Sequence, residues 1–154
     1  MTVLPAEVIS STTGYLLMKL ADLATSRMEQ ALRPAQLRGR TLRVLAYVHG
    51  VELSQRDLCR QTGIDRTTMI SVVDELESLA YVRRHRDPSD RRKHFIGITD
   101  DGRTALSGAL AAVRQAEEDF LACLGEDERR LLHGLLGSLF TAHDPRCQTD
   151  ELAE

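Results

Sequence analysis

The stretch Leu53–Thr99, LSQRDLCRQTGIDRTTMISVVDELESLAYVRRHRDPSDRRKHFIGIT, decides the architecture. Ser54 reads as a helix N-cap, Asp57 three residues on reaches back to the Ser54 N–H, and Leu53 takes the staple position. That helix must stop by Gly63, because glycine tolerates the left-handed backbone of a tight turn. Asp65 is a fresh N-cap, and Ile70, Val73, Leu76 and Leu79 recur behind it at helical spacing as an inward face. Two short helices joined by a three- or four-residue turn containing glycine form a helix-turn-helix. Tyr81–Arg84 and Phe95–Ile98 then read as short strands, with Ile96 and Ile98 alternating inward. The Asp87-Pro88-Ser89-Asp90 stretch between them supplies turn chemistry. The product is a β-hairpin with an arginine-loaded tip, a wing.

Working outward, Leu16, Leu17, Leu20, Ala21, Ala24 and Met28 mark a helix from about Ser10 to Leu32, and Pro34 ends it or opens the next connection. Arg40–His49 suits a shorter helix with Leu42, Leu45 and Val48 inward and Gly50 just past its end. Thr99 caps a long helix whose first turn holds Asp100 and Asp101, acids favoured at the positive end of the helix dipole. Its apolar face runs through Leu106, Leu110, Val113, Phe120, Leu121 and Leu124. Gly125 breaks it, and a last helix carries Leu131, Leu132, Leu135, Leu136, Leu139 and Phe140. The expected fold is therefore mainly α: a winged helix-turn-helix with a three-helix core and a β-hairpin wing, flanked by N- and C-terminal dimerisation helices. In residues, one domain over 1–154 holds a winged lobe at 35–100, dimerisation helices at 8–33 and 101–143, and a flexible tail at 144–154. The first and last helices carry broader apolar stripes than a small winged module covers. A second copy of the chain is the natural cover, although the two helices covering each other is the alternative.

A net charge of −3 looks wrong for a nucleic-acid binder until it is divided along the chain. Residues 1–32 sum to −1, residues 33–103 to +4 and residues 104–154 to −6, so a basic middle lies between acidic ends. The local field, not the total, decides where a phosphate backbone lands. No apolar run approaches the ~20 residues of a membrane span, and the N-terminus lacks the features of a secretory signal. Three widely spaced cysteines make neither a disulfide framework nor a metal knuckle, which points to the cytoplasm.

The segment Gly63–Arg103, GIDRTTMISVVDELESLAYVRRHRDPSDRRKHFIGITDDGR, resembles the recognition helix, wing and following helix start of the multiple-antibiotic-resistance regulator (MarR) family. The order of elements is similar over nearly the whole chain. DPSDRRKHFIGIT, residues 87–99, is the most specific part. The resemblance implies a homodimer that represses transcription and, as in many members, is released by a small molecule or an oxidant. The family usually has glycine where Ala80 stands, so alanine there either accepts left-handed strain or lets the helix end differently.

Candidate site residues follow from this layout. The N-terminal part of the second helix enters the major groove in helix-turn-helix proteins, which presents Arg66, Thr67, Thr68 and Ser71 to double-stranded operator DNA. Arg66 suits a bidentate hold on guanine; the hydroxyls either bond base edges or phosphates or support the helix start. In the wing, Arg84, Arg86, Arg91, Arg92 and Lys93, with Arg83 beside them, are opposed only by Asp87 and Asp90. Arg91 and Arg92 suit insertion into a narrow minor groove, with Asp90 steadying a neighbouring guanidinium. Tyr15, Arg43, Tyr47 and His49 offer an aromatic wall, a cation and polar handles to a small anionic or phenolic effector, or else complete the core and interface. Cys59 and Cys123 read as buried packing residues and Cys147 as a tail residue. No cysteine precedes Cys59, which argues against the N-terminal peroxide sensing of some relatives. The histidines form no i,i+3 or i,i+4 pair, so no metal and no other cofactor is expected. No nucleophile elbow, phosphate loop, zinc helix or dinucleotide fingerprint occurs, which argues against an enzyme. The alternative is a winged-helix module for protein–protein contact without DNA binding, and such a module has no need of an arginine wing.

Overall fold

The computed structural model of the chain describes residues 9–86 and 94–144. The chain divides into two compact units, one up to Glu117 and one from Glu118.

In the first unit, helix α1 spans Thr13–Leu32, its start capped by the Thr12 hydroxyl accepting the Tyr15 N–H. Pro34 lies inside the short 3-10 turn Arg33–Ala35 that follows, and Gln36 leaves the turn in a left-handed conformation. Helix α2, Gly39–Tyr47, is anchored to α1 where the Glu29 carboxylate accepts the Gly39 N–H at 3.0 Å. It buries Thr41, Leu42, Val44 and Leu45. It ends on Val48 at φ −88°, not on a left-handed Gly50.

The strand β1, Leu53–Ser54, was not foreseen, since two residues are too short to show alternation. Helix α3 covers Gln55–Thr62 and stops at Gly63, whose φ of 70° is the left-handed turn expected there. Helix α4 covers Arg66–Ser78 behind the Asp65 cap. Its buried face is Met69, Val72, Val73 and Leu76. Ile70, expected to point inward, is 41% exposed. A residue advances about 100° around a helix, so with Met69 and Val73 centred on the core Ile70 falls at the rim of that stripe. Strands β2, Val82–Arg86, and β3, His94–Ile98, pair antiparallel from Val82↔Ile98 to Arg86↔His94. With β1 they form a sheet in the order β1-β3-β2. The core closes over Leu32, Leu45, Leu58, Met69, Leu76 and Ile96.

Helix α5 spans Asp100–Phe120 and buries Leu106 and Ala109, while Leu110 stays exposed. In the second unit, helix α6, Glu126–His143, starts at Gly125, whose N–H is accepted by the Glu128 carboxylate at 2.8 Å. No residue within α6 is buried. Cys123 is exposed, contrary to expectation, because α5 ends at Phe120 and leaves this residue in the turn before α6. Cys59 does pack partly buried against the core.

Candidate nucleic-acid interface

Two caps set the helix pair, Ser54 before α3 and Asp65 before α4. The Asp65 carboxylate accepts the Thr68 N–H at 3.0 Å, and hydrogen bonding from the Thr68 side chain, then from its N–H, holds the Asp65 pKa below the ordinary 3.8. The Ser54 hydroxyl accepts the Asp57 N–H and donates to the Asp57 carboxylate at 2.6 Å, which lowers the Asp57 pKa as well. Asp57 therefore reaches back to the Ser54 hydroxyl, not to its N–H as the sequence suggested. Between these caps Gly63 turns the chain. Arg66 and Thr67 stand exposed at the start of α4, and Thr68 is half-buried. Ser71 is exposed, but its hydroxyl donates back to the Thr67 carbonyl at 3.4 Å.

Strand alternation puts Val82, Arg84 and Arg86 on one face of β2 and Arg83 and His85 on the other. Arg84 does not stand free. Its guanidinium is held by Asp74 and, at 2.6 Å, by Glu77, and its N–H donates to the same Glu77 side chain. Arg38, before α2, reaches Glu75 at 3.5 Å. The acids of the second half of α4 are thus taken up by arginines of neighbouring segments. Arg86 is exposed. His85 Nε2 meets the Glu52 carboxylate at 2.8 Å, beside Gly97 on the outer face of the hairpin. Asp90, Arg91, Arg92 and Lys93, expected at the wing tip, lie outside the described residues.

The wing is fixed at its root by a junction that sequence reasoning only half found. Helix α4 closes with the Tyr81 N–H on the Leu76 carbonyl and the Ala80 N–H on the Glu77 carbonyl, both at 2.9 Å. This Schellman pattern demands a left-handed residue, and Ala80 supplies it at φ 60°. The Thr99 hydroxyl donates to the Ala80 carbonyl at 2.7 Å and accepts the Gly102 N–H at 3.0 Å. The Thr99 N–H donates to the Tyr81 carbonyl at 3.0 Å. That carbonyl passes so close to Gly102 that a Cβ there would lie 2.0 Å from it. The Tyr81 hydroxyl donates to the Ala35 carbonyl, tying the wing root to the turn after α1. Gly102, the acids holding Arg84 and the Tyr81 tether were all missed; only a glycine two residues into a helix hinted at the first.

The expected effector residues are less gathered. Arg43 and Tyr47 lie one turn apart on the exposed side of α2, and the Tyr47 hydroxyl donates to the Gln61 carbonyl at 3.3 Å. His49 is exposed, and its carbonyl accepts from Arg103. Tyr15 is ~20 Å along α1 from Met28, the part of that helix packed on the core. Among the described residues no group of three or more His, Cys, Asp or Glu is placed to hold a metal ion. No described helix is long and apolar enough to cross a membrane.

Fold and hairpin together define a winged helix-turn-helix of the kind found in transcription regulators. Residues 35–93 match the model described as MarR family. The chain is 36% identical over 88 residues to a putative transcriptional regulatory protein for the hcr operon of Thauera aromatica, covering 57% of this chain and 53% of that one. It is 27% identical over 138 residues to the transcriptional repressor NicR of Pseudomonas putida, covering 88% and 87%. The repressor CouR bound to a 23-mer DNA duplex superposes with a TM-score of 0.77 at 28% identity, over 90% of this chain and 99% of that one. CouR of Rhodococcus jostii bound to p-coumaroyl-CoA superposes with a TM-score of 0.70 at 28% identity, over 89% and 95%. The chain spans about half the length of several curated relatives that it matches, 53%, 49% and 56% of three of them.

Proposed function

We propose that the chain is a homodimeric transcriptional repressor that binds a pseudo-palindromic operator and is released by a small anionic or phenolic molecule. The observation that carries the reading is the combination of an exposed Arg66–Thr67 start on α4 with a hairpin fixed to the same helix through Arg84. Arg66 and Thr67, with Thr68 and Ser71 flanking them, would face the major groove. Arg86 and the tip residues Asp90, Arg91, Arg92 and Lys93 would follow the backbone into the adjoining minor groove. Arg84 would position the wing without touching DNA. The likeness to DNA-bound CouR supports the docking mode.

Dimerisation is supported by apolar side chains left uncovered: Leu16, Leu20 and Leu23 on α1, and Leu131, Leu135 and Phe140 on α6. Each of these helices carries an exposed apolar stripe, the kind of surface that marks an interaction site. The effector proposal rests on the coumaroyl ligand of CouR and on Arg43, Tyr47 and His49, with Tyr15 retained as a fourth candidate.

A gel-shift titration at two salt concentrations tests the DNA reading. Removing a phosphate or groove cation releases fewer counterions, so Arg92→Ala weakens binding and flattens its salt dependence by about 0.9 in logarithmic slope. Unchanged affinity at both salts would remove Arg92 from the interface. Failure of the wild-type chain to retain any genomic fragment at low salt would favour a protein-contact module instead.

A further inference from the structure

We infer that Ile70 reads a thymine methyl group in the major groove, a specificity contact that rests on the DNA-binding reading above. The inward face of α4 is complete without it: Met69 and Val73 are fully buried and Val72 nearly so, while Ile70 is 41% exposed. A single exposed isoleucine on an arbitrary surface needs no explanation. This one lies on the exposed side of the reading helix, one turn after Arg66 and one turn before Asp74.

Its surroundings set what it meets. The Ser71 hydroxyl, next in the chain, donates its proton back onto the Thr67 carbonyl, so Ser71 offers no outward donor and Ile70 is the apolar group of this part of the surface. Asp74, which would repel phosphate one turn further on, is held by Arg84. A polar group facing the groove discriminates bases by donors and acceptors; an aliphatic one has a single matching feature there, the C5 methyl of thymine. Adjacent base pairs are ~3.4 Å apart and a helical turn rises ~5.4 Å. The thymine therefore lies one or two base pairs from the pair that Arg66 contacts.

The test uses the full chain and a duplex that the wild-type chain selects from a randomised pool. Each thymine is replaced in turn by deoxyuridine, which removes only the methyl. The wild type loses about fourfold in affinity at one thymine per half-site, the worth of burying one methyl group. Ile70→Ala binds the unmodified duplex more weakly and shows no further loss at that position, while its thermal midpoint matches the wild type. Indifference of the wild type to every deoxyuridine overturns the assignment and leaves the DNA-binding reading standing. An equal deoxyuridine loss in Ile70→Ala also overturns it, because another residue then reads the methyl. Selection of no duplex at all would sink the DNA-binding reading itself, and the thymine contact with it.

Discussion

At the residue scale the wing depends on two small side chains of opposite fitness. Ala80 carries a φ of 60° that glycine reaches without a Cβ clash. Ala80→Gly should therefore raise stability by about 0.5–1 kcal/mol, the left-handed penalty less glycine's extra chain entropy, read as a higher denaturant midpoint at constant slope. A fall in the midpoint would mean that the junction relieves the strain in some other way. Gly102 is the reverse case. Its backbone is unexceptional, but a methyl there would collide with the Tyr81 carbonyl, which itself accepts the Thr99 N–H. Gly102→Ala should cost about 1–3 kcal/mol by overpacking, visible in the same denaturation measurement. Ala80 was legible in the sequence because the resemblance supplied an expectation of glycine. Gly102 was not, because its close approach to Tyr81, 21 residues earlier, leaves no local pattern.

At the scale of elements, caps and periodicity were readable and lateral ties were not. Ser54, Gly63, Asp65 and Thr99 all serve as their side chains and positions suggested, since capping is local chemistry within three or four residues. Ile70 was misplaced because apolar spacing marks a stripe without fixing its edges. Arg84 was read as one more wing cation, and its partners Asp74 and Glu77 become visible only when strand and helix are brought together. As a clamp, Arg84→Ala should weaken DNA retention while leaving the salt slope near that of the wild type. A slope reduced by about 0.9 would mark it as a phosphate contact. Acid stability follows from the caps. Asp57 and Asp65 have lower pKa values folded than the ordinary 3.8, so their contribution is complete above that value and is lost as pH falls through the folded values. On acidification, Asp65→Asn should therefore lose less thermal midpoint than the wild type; an equal loss would show that the Asp65 charge does not matter to the cap.

At the scale of the whole molecule, the division of charge turns an apparent objection into a layout: a basic reading segment at residues 33–103 between acidic ends. The apolar side chains exposed on α1 and on α6 are the surfaces on which the proposed dimer rests. Both features were present in the sequence as sums and stripes, but whether neighbouring helices cover the stripes is a question of packing. Symmetry joins the two halves of the account, because a two-fold dimer imposes a two-fold site on DNA. Footprinting of genomic fragments retained by the wild-type chain tests this most directly. The account predicts two protected half-sites of inverted sequence, centred about one helical turn or ~10 bp apart. A single unsymmetrical protected segment, or no retained fragment at low salt, would contradict it.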